Sequence, residues 1–300
     1  MGKVFRSMWR RSNPGLFITS FVVFALIIFI FVYPLLTQED PLAQDIASAF
    51  APVGTPGHIL GTDNLGRDSF VRLIYGLRTE LIVCGLGTLI SAVIGTLLGI
   101  LAAYFRGATD MVVMRVVEII LAFPNLVLAM LIVSLYGAGN ATVVAICGVV
   151  FIPGFARLVY GEVLSLRKAL YVESAELFGG TRWQLISGPL LRGVGPLVLA
   201  QGFLTLAFAV GLESGLSFLG LGIVPPAPSL GLMISTGQQY FMQAPGQLLI
   251  PSAVLVLLLV AFGYVADWVR DLLDPRGAER KHRGASRQRA SFQVAQGVSA

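Results

Sequence analysis

The sequence predicts an all-α, polytopic membrane protein with about six transmembrane helices. Three observations carry that prediction. Hydrophobic residues make up 56% of the 300 and charged residues only 12%, against about 25% charged in a typical soluble domain. Five stretches hold no Asp, Glu, Lys or Arg, namely 12–38, 81–105, 119–156, 193–212 and 214–266; about 20 apolar residues suffice to cross the hydrocarbon core. Eighteen of the 21 Lys and Arg residues fall on one set of alternating connections, which leaves only Arg67, Arg72 and Arg78 on the other side. That asymmetry is the positive-inside pattern and puts both termini in the cytoplasm. The composition excludes an ordinary soluble enzyme and a disordered chain. The net charge of +5 is dispersed among apolar stretches, so no nucleic-acid partner is expected. Cys84 and Cys147 lie inside apolar runs with no Cys or His nearby, and read as small core residues and not as metal ligands.

Taken in order, residues 1–15 form a cytoplasmic N-terminus and 16–36 a first transmembrane helix. Its apolar stretch of about 21 residues exceeds the 7–15 of a signal-peptide core. The Ala47-Ser48-Ala49 triplet, which resembles a cleavage site, stands well beyond it. The segment therefore reads as an uncleaved anchor. An outside loop, 37–80, contains His58, Gly61, Thr62, Asp63, Gly66, Arg67 and Asp68 in a run of 11 residues. The glycines permit tight turns, and Asp63 or Asn64 can close Asx turns. One His with two carboxylates reads as a set of structural hydrogen-bond partners, so no metal site is expected. Phe70, Leu73, Ile74 and Leu77 follow at helical spacing, the pattern of an amphipathic helix lying on the membrane surface.

A core over 81–276 holds five more spans, near 81–104, 112–136, 141–164, 194–214 and 248–269. Gly137-Ala138-Gly139-Asn140 is a turn signal that splits the run 119–156 in two. Pro225-Pro226-Ala227-Pro228 and Gln238-Gln239 interrupt the last run. The segment 214–247 therefore reads as partly re-entrant on the outer side, since non-helical backbone at membrane depth must be buried in protein or line a wet cavity. Glu118 is expected to pair with Arg115 near the cytoplasmic face. The loop 165–191 is an elbow. Val172, Ala175, Leu177 and Phe178 give a short helix its apolar surface, with Glu173 and Glu176 among them. Gly179-Gly180 stops that helix, and Thr181-x-x-Gln184 is a capping-box pattern that starts the next. Such an elbow can dock in a groove of a soluble partner or serve as a plain connection.

These loops carry a family resemblance. The chain resembles the membrane-spanning permease subunits of ABC importers, in particular the C-type permease of the peptide/nickel (dipeptide/oligopeptide) uptake family. Glu173-Ser174-Ala175 followed by Gly179 resembles the EAA motif of importer permeases. His58-x-x-Gly61-Thr62-Asp63-x-x-Gly66-Arg67-Asp68 looks like the subfamily's signature before the second span. Leu216-Ser217-Phe218-Leu219-Gly220-Leu221-Gly222, then Pro225-Pro226-x-Pro228-Ser229-x-Gly231, resembles another, and Asp271-x-x-Asp274-Pro275-Arg276 closes the last span in the family's manner. The resemblance covers about 14–276. Two departures stand out. Leu190-Leu191-Arg192 replaces the family's Ile-Leu-Pro-like step, and Glu176 stands where a basic residue is common. Both bear on the fit to a particular ATPase.

The resemblance implies a MetI-like permease core with a cytoplasmic coupling helix, in the bacterial inner membrane. It implies one half of a translocation pathway for peptides or a related small solute such as a metal chelate, glutathione or an oligosaccharide. The implied partners are a homologous second permease, two cytoplasmic ATPase subunits, an extracytoplasmic substrate-binding protein and membrane lipid. Glu173 is implied as a polar contact to the ATPase, with Ser174 beside it, Ala175 allowing close packing and Gly179 setting the turn. No enzyme activity and no cofactor is expected in this chain, with ATP and Mg held by the partner subunits. Indeed Lys3, Lys168 and Lys281 are the only lysines and none sits in a Gly-Lys-Ser/Thr P-loop. Glu213, isolated between two uncharged runs, is a candidate for the translocation pathway or a gate, or else a carboxylate bonded to the broken segment that follows it. A stand-alone ion-coupled secondary transporter is the alternative. It needs paired charges deep in the bundle or inverted repeats, whereas the deep spans here are nearly charge-free. A structural membrane protein or assembly factor would not need the elbow. The basic tail 277–300 falls outside the resemblance and reads as disordered, with anionic lipid as a possible contact.

Overall fold

A computed structural model describes residues 14–37, 39–177 and 179–273. The expected N-terminal segment up to residue 13, Phe178, the Asp274-Pro275-Arg276 step and the tail 277–300 lie outside the described residues. Among the described residues there are eleven α-helices. Five stretches are long and apolar enough to span a membrane, and a bent helix pair makes a sixth if it counts as one span.

Helix α1 (Pro14–Thr37) is apolar throughout and peripheral. Val23 and Ile30 are buried in the main core, while Phe21, Phe24, Leu35 and Leu36 stay exposed, as suits a lipid-facing helix. Helix α2 (Ser69–Phe105) is the axis of the molecule. Its 37 residues make a rod of about 55 Å, longer than the hydrocarbon core of about 30 Å. The sequence suggests a separate surface helix over its first turns. In the structure those turns continue into the span, because nothing between Ser69 and Phe105 breaks the helix. The stripe Leu73, Ile74 and Leu77 is buried in protein, in contact with elements from the far end of the chain.

Helices α3 (Ala108–Leu121) and α4 (Asn125–Tyr136) were expected as one span, 112–136. They meet at 90°. Pro124 caps α4 and has no N–H with which to continue α3. Helices α5 (Asn140–Val150) and α6 (Ile152–Leu166) pack along α2. The packing is close because one face of α2 carries Gly87, Ser91, Gly95 and Gly99 at a four-residue spacing. A Cβ on Gly87 would stand 2.4 Å from Cys147 Cβ, and one on Gly99 2.6 Å from Ala156 O. Small residues at every fourth position let helix backbones approach.

After α6 the chain makes the elbow, α7 (Leu170–Leu177) and α8 (Arg182–Leu185). One π-helical turn, Ile186–Leu190, leads into α9 (Leu191–Phe218). The expected broken segment follows, but only in part. Residues 219–229 are non-helical, whereas Gln238 and Gln239 lie in α10 (Leu230–Gln239). Helix α11 (Gly246–Leu273) completes the bundle against α9, α10 and α1. The molecule thus has two ends. The loop 39–68 and the segment 219–229 share one, the cap end; the elbow forms the other.

Candidate functional site

The elbow is built from local signals. Gly179 has φ +79°, the left-handed turn that ends a helix. Thr181 then opens α8 with a complete capping box: Gln184 N donates to Thr181 Oγ1 at 3.4 Å, and Thr181 N donates to Gln184 Oε1 at 2.8 Å. One side chain of α7 anchors it. Val172 is 1% exposed and packs with Ile100, Ala103, Val163, Leu166, Ile186 and Leu190. Arg167 ties the stem of the elbow to the end of α2, donating from Nη1 to Ala103 O at 3.3 Å and to Tyr104 O at 3.0 Å. Its guanidinium also lies 5.3 Å from the Tyr104 ring centroid, and that of Arg182 lies 6.0 Å from the Phe105 centroid. Of the residues singled out by the EAA resemblance, Glu173 and Ser174 are exposed and Ala175 is half-buried. Ser174 Oγ donates back to Leu170 O at 2.7 Å. Leu170, Leu177 and Trp183 are 80%, 82% and 69% exposed. Large apolar side chains exposed on one short elbow are the kind of feature found where proteins interact. The sequence reading passed over Leu170 and Trp183; an aromatic next to a capping box was the available signal.

At the cap end the His58–Asp68 run folds into one compact knot over the start of α2. Asp68 Oδ1 caps the helix, accepting from Phe70 N at 2.8 Å and Val71 N at 3.0 Å, and its Oδ2 lies 2.7 Å from His58 Nδ1. Asp63 accepts from Leu65 N at 2.8 Å, Arg67 N at 3.0 Å and Arg67 Nε at 2.6 Å. Arg72 Nε is 3.4 Å from the same carboxylate. Thr62 Oγ1 donates to Ser48 O and accepts from Ala51 N at 2.8 Å, while Gln247 Nε2 donates to Thr62 O at 2.6 Å. Gly61 and Gly66 have positive φ, and a Cβ on Gly66 would fall 1.7 Å from Asp45 O. These residues pin the loop to both α2 and α11. Among the described residues no group of three His, Cys, Asp or Glu side chains is placed to hold a metal ion.

Two carboxyl groups lie buried in the long helices, a pair of acidic residues where the sequence reading expects deep spans nearly free of charge. Glu213 in α9 and Glu80 in α2 are both fully buried, and they are neighbours: Ser214, the residue after Glu213, donates from Oγ to Glu80 Oε1. Ser217 Oγ donates to Glu213 Oε1 and in turn accepts from Ile223 N at 2.9 Å. The carboxylate is thus linked through one serine to the broken segment. Gly222 and Gly231 make the approach possible: a Cβ on Gly222 would meet Ser217 Oγ at 2.3 Å, and one on Gly231 would meet Ser214 O at 2.2 Å. Glu80 was not picked out in the sequence. It adjoins the charge-free run starting at residue 81, where a carboxylate looks like ordinary boundary charge. Farther along, between α2 and α9, an open apolar groove of about 560 Å³ is lined by Thr88, Leu89, Thr96, Leu97, Leu199 and Phe203, among others. Arg115 and Glu118 pair as expected, at 2.9 Å and largely exposed.

The long helices of the bundle thus run from a tied cap at one end to an exposed elbow at the other. Solved structures share this fold. A chain of the MetNI methionine ABC transporter in an inward-facing crystal form superposes with a TM-score of 0.55 over 68% of this chain and 98% of that one, at 22% identity. A chain of an amino acid ABC transporter crystallised with histidines gives 0.52 over 68% and 95%, at 15% identity. Residues 95–278 match the family described as binding-protein-dependent transport system inner membrane component, and the chain belongs to it. Relatives include the probable D,D-dipeptide transport system permease protein DdpC of Escherichia coli K12, 32% identical over 275 residues that cover 91% of this chain and 92% of that one. The oligopeptide transport system permease protein OppC of Haemophilus influenzae is 36% identical over 280 residues, covering 90% and 89%. The glutathione transport system permease protein GsiD of Pectobacterium atrosepticum is 36% identical over 219 residues, 73% of each chain. The protein is therefore a multi-pass membrane permease subunit of an ABC importer.

Proposed function

We propose that this chain forms half of the translocation pathway for peptides or a closely related small solute. The other half is a homologous permease, and the drive is ATP hydrolysis in two cytoplasmic ATPase subunits. A binding protein delivers the solute to the cap end, which faces away from the cytoplasm; both termini then lie in the cytoplasm, as the distribution of Lys and Arg favours. The relatives named for dipeptide, oligopeptide and glutathione transport support the solute class. The exposed Leu170, Leu177 and Trp183 on the elbow carry the ATPase reading. Glu173 and Ser174 supply polar contacts at that interface, Ala175 lets the partner approach, and Gly179 sets the angle between the two short helices. Closure of the ATPase pair pushes on the elbow. The motion reaches the bundle through Val172 and through Arg167, which holds the end of α2. The groove between α2 and α9 forms one wall of the pathway, and the second permease supplies the facing wall.

The test is reconstitution. The chain is co-purified with its cognate permease and ATPase subunits, placed in liposomes and supplied with binding protein and a labelled peptide library. The expected result is ATP-dependent uptake of peptide that vanishes when the ATPase subunits are omitted. Full uptake by the chain alone under an ion gradient would overturn the proposal and favour the ion-coupled carrier.

A further inference from the structure

The Glu80–Glu213 pair is incompletely bonded in a way that points to a ligand. One oxygen of each is satisfied, since Ser214 Oγ donates to Glu80 Oε1 and Ser217 Oγ to Glu213 Oε1. The Oε2 of each is buried and has no hydrogen-bond partner. No Lys, Arg or His among the described residues forms an ion pair with either carboxyl. The thiol of Cys84 of α2 also faces the pair and is itself beside Cys147 of α5, both buried. From α10 the Leu230 backbone amide approaches Glu80. Two ionised carboxylates buried as neighbours, dry and without a cation, repel strongly and lose their hydration. One proton resolves both problems, because the O–H of one carboxyl then donates to the unpaired oxygen of the other.

We propose that Glu80 and Glu213 form a proton-binding site that holds one proton between them, and that this shared proton clasps residues 219–229 and α10 to α2. Glu213 holds the broken segment through Ser217 and Ile223 N. Glu80 faces the first amide of α10, and the backbone of Ser229 lies against α2 at Gly76, where a Cβ would stand 3.3 Å from Ser229 Cα. Glu80 is a positioning residue, acting through Glu213 on a segment that has few helical hydrogen bonds of its own. The proposal does not rest on the importer's solute class.

The experiment uses the assembled complex in lipid nanodiscs with two readouts: the infrared C=O band of a protonated carboxyl, and deuterium exchange of the amides in 219–229. The wild type shows the band. Glu80→Gln and Glu213→Gln each abolish it, since the amide now donates to the one remaining carboxylate. Both keep segment exchange within about twofold of wild type, because the donated hydrogen bond survives. Glu80→Ala leaves the Glu213 oxygen and the Ser214 hydroxyl without partners, and segment exchange rises by about tenfold or more, the scale set by an orphaned buried polar group. A wild type without the band overturns the proposal, as does a band that persists in either Gln variant. Gln variants that loosen the segment as much as Ala overturn it too. Should Glu80→Ala fail to assemble, the band and the two Gln variants decide alone. A complex that takes up peptide normally yet lacks the band rejects the proton site and leaves the importer reading intact.

Discussion

The two ends of the molecule are stabilised in opposite ways. At the cap end the side chains are consumed by one another. Asp63, Arg67, Asp68, His58 and Thr62 bond inward, and Gly61 and Gly66 sit where a Cβ would collide with backbone. At the elbow end little is consumed. Val172 is buried, but Leu170, Leu177 and Trp183 face outward, and Gly179 has open space where a Cβ would go. The polar knot of the cap end is complete within the chain, although Ile46, Val53 and Ile59 stay exposed around it, whereas the elbow has no such knot and displays the surface proposed above for a partner. A substitution at the cap should therefore damage folding, and one at the elbow should damage coupling while sparing the fold.

The largest effect belongs to Gly66→Ala. Its backbone is left-handed at φ +72° and the added carbon would fall 1.7 Å from Asp45 O. Backbone strain and overpacking together cost about 3 kcal/mol or more. The expected outcome is a collapse in the yield of assembled complex, read by size-exclusion chromatography and thermal unfolding. Normal yield with a selective transport defect would place the weakness elsewhere than in the fold.

Trp183→Ala is the counterpart at the elbow. The indole is 69% exposed, so its loss leaves the subunit's own unfolding temperature unchanged. On the docking surface proposed above, this aromatic should contribute about 2 kcal/mol to ATPase binding, or roughly 30-fold in affinity. A titration of ATPase subunits onto nanodisc-held permease pair measures this. Unchanged affinity would remove Trp183 from the interface. Gly179→Val comes next. With nothing within 4 Å of the new carbon, the penalty is the left-handed backbone alone, about 1–2 kcal/mol. The subunit should insert and assemble while uptake falls about tenfold and ATP hydrolysis proceeds without transport. Wild-type uptake in this variant would dissolve the distinction between the two ends.

Legibility in the sequence follows the range of the forces involved. The elbow was readable because Gly179, Thr181 and Gln184 act within a few residues of themselves. The spans were readable because composition alone determines whether a stretch can sit in lipid. The union of the amphipathic turns with the next span was not, since Leu73 and Leu77 make the same stripe whether it packs on lipid or on α10. The right-angled bend at Pro124 fell inside a charge-free run, where the absence of charge says nothing about direction. Glu80 was hidden for a different reason. Its meaning depends on Glu213, and only the packing of α2 against α9 brings the two together.

The smallest effect separates the two arms of the elbow's capping box. Thr181→Ala removes the hydroxyl that receives Gln184 N, a contact of 3.4 Å at the limit of a hydrogen bond. The reciprocal arm, Thr181 N to Gln184 Oε1 at 2.8 Å, is the stronger one and survives, because alanine keeps its amide. Capping substitutions typically cost about 1 kcal/mol, and the long geometry and exposure of this cap put Thr181→Ala below that figure. Gln184→Ala removes the short arm and should cost more. Uptake should therefore fall by less than about fivefold for Thr181→Ala and further for Gln184→Ala, with the unfolding temperature of the complex unmoved in both. If either variant lowered that temperature as much as Gly66→Ala, the elbow would be part of the folding core, and α8 would be held by more than its cap and the buried Leu185.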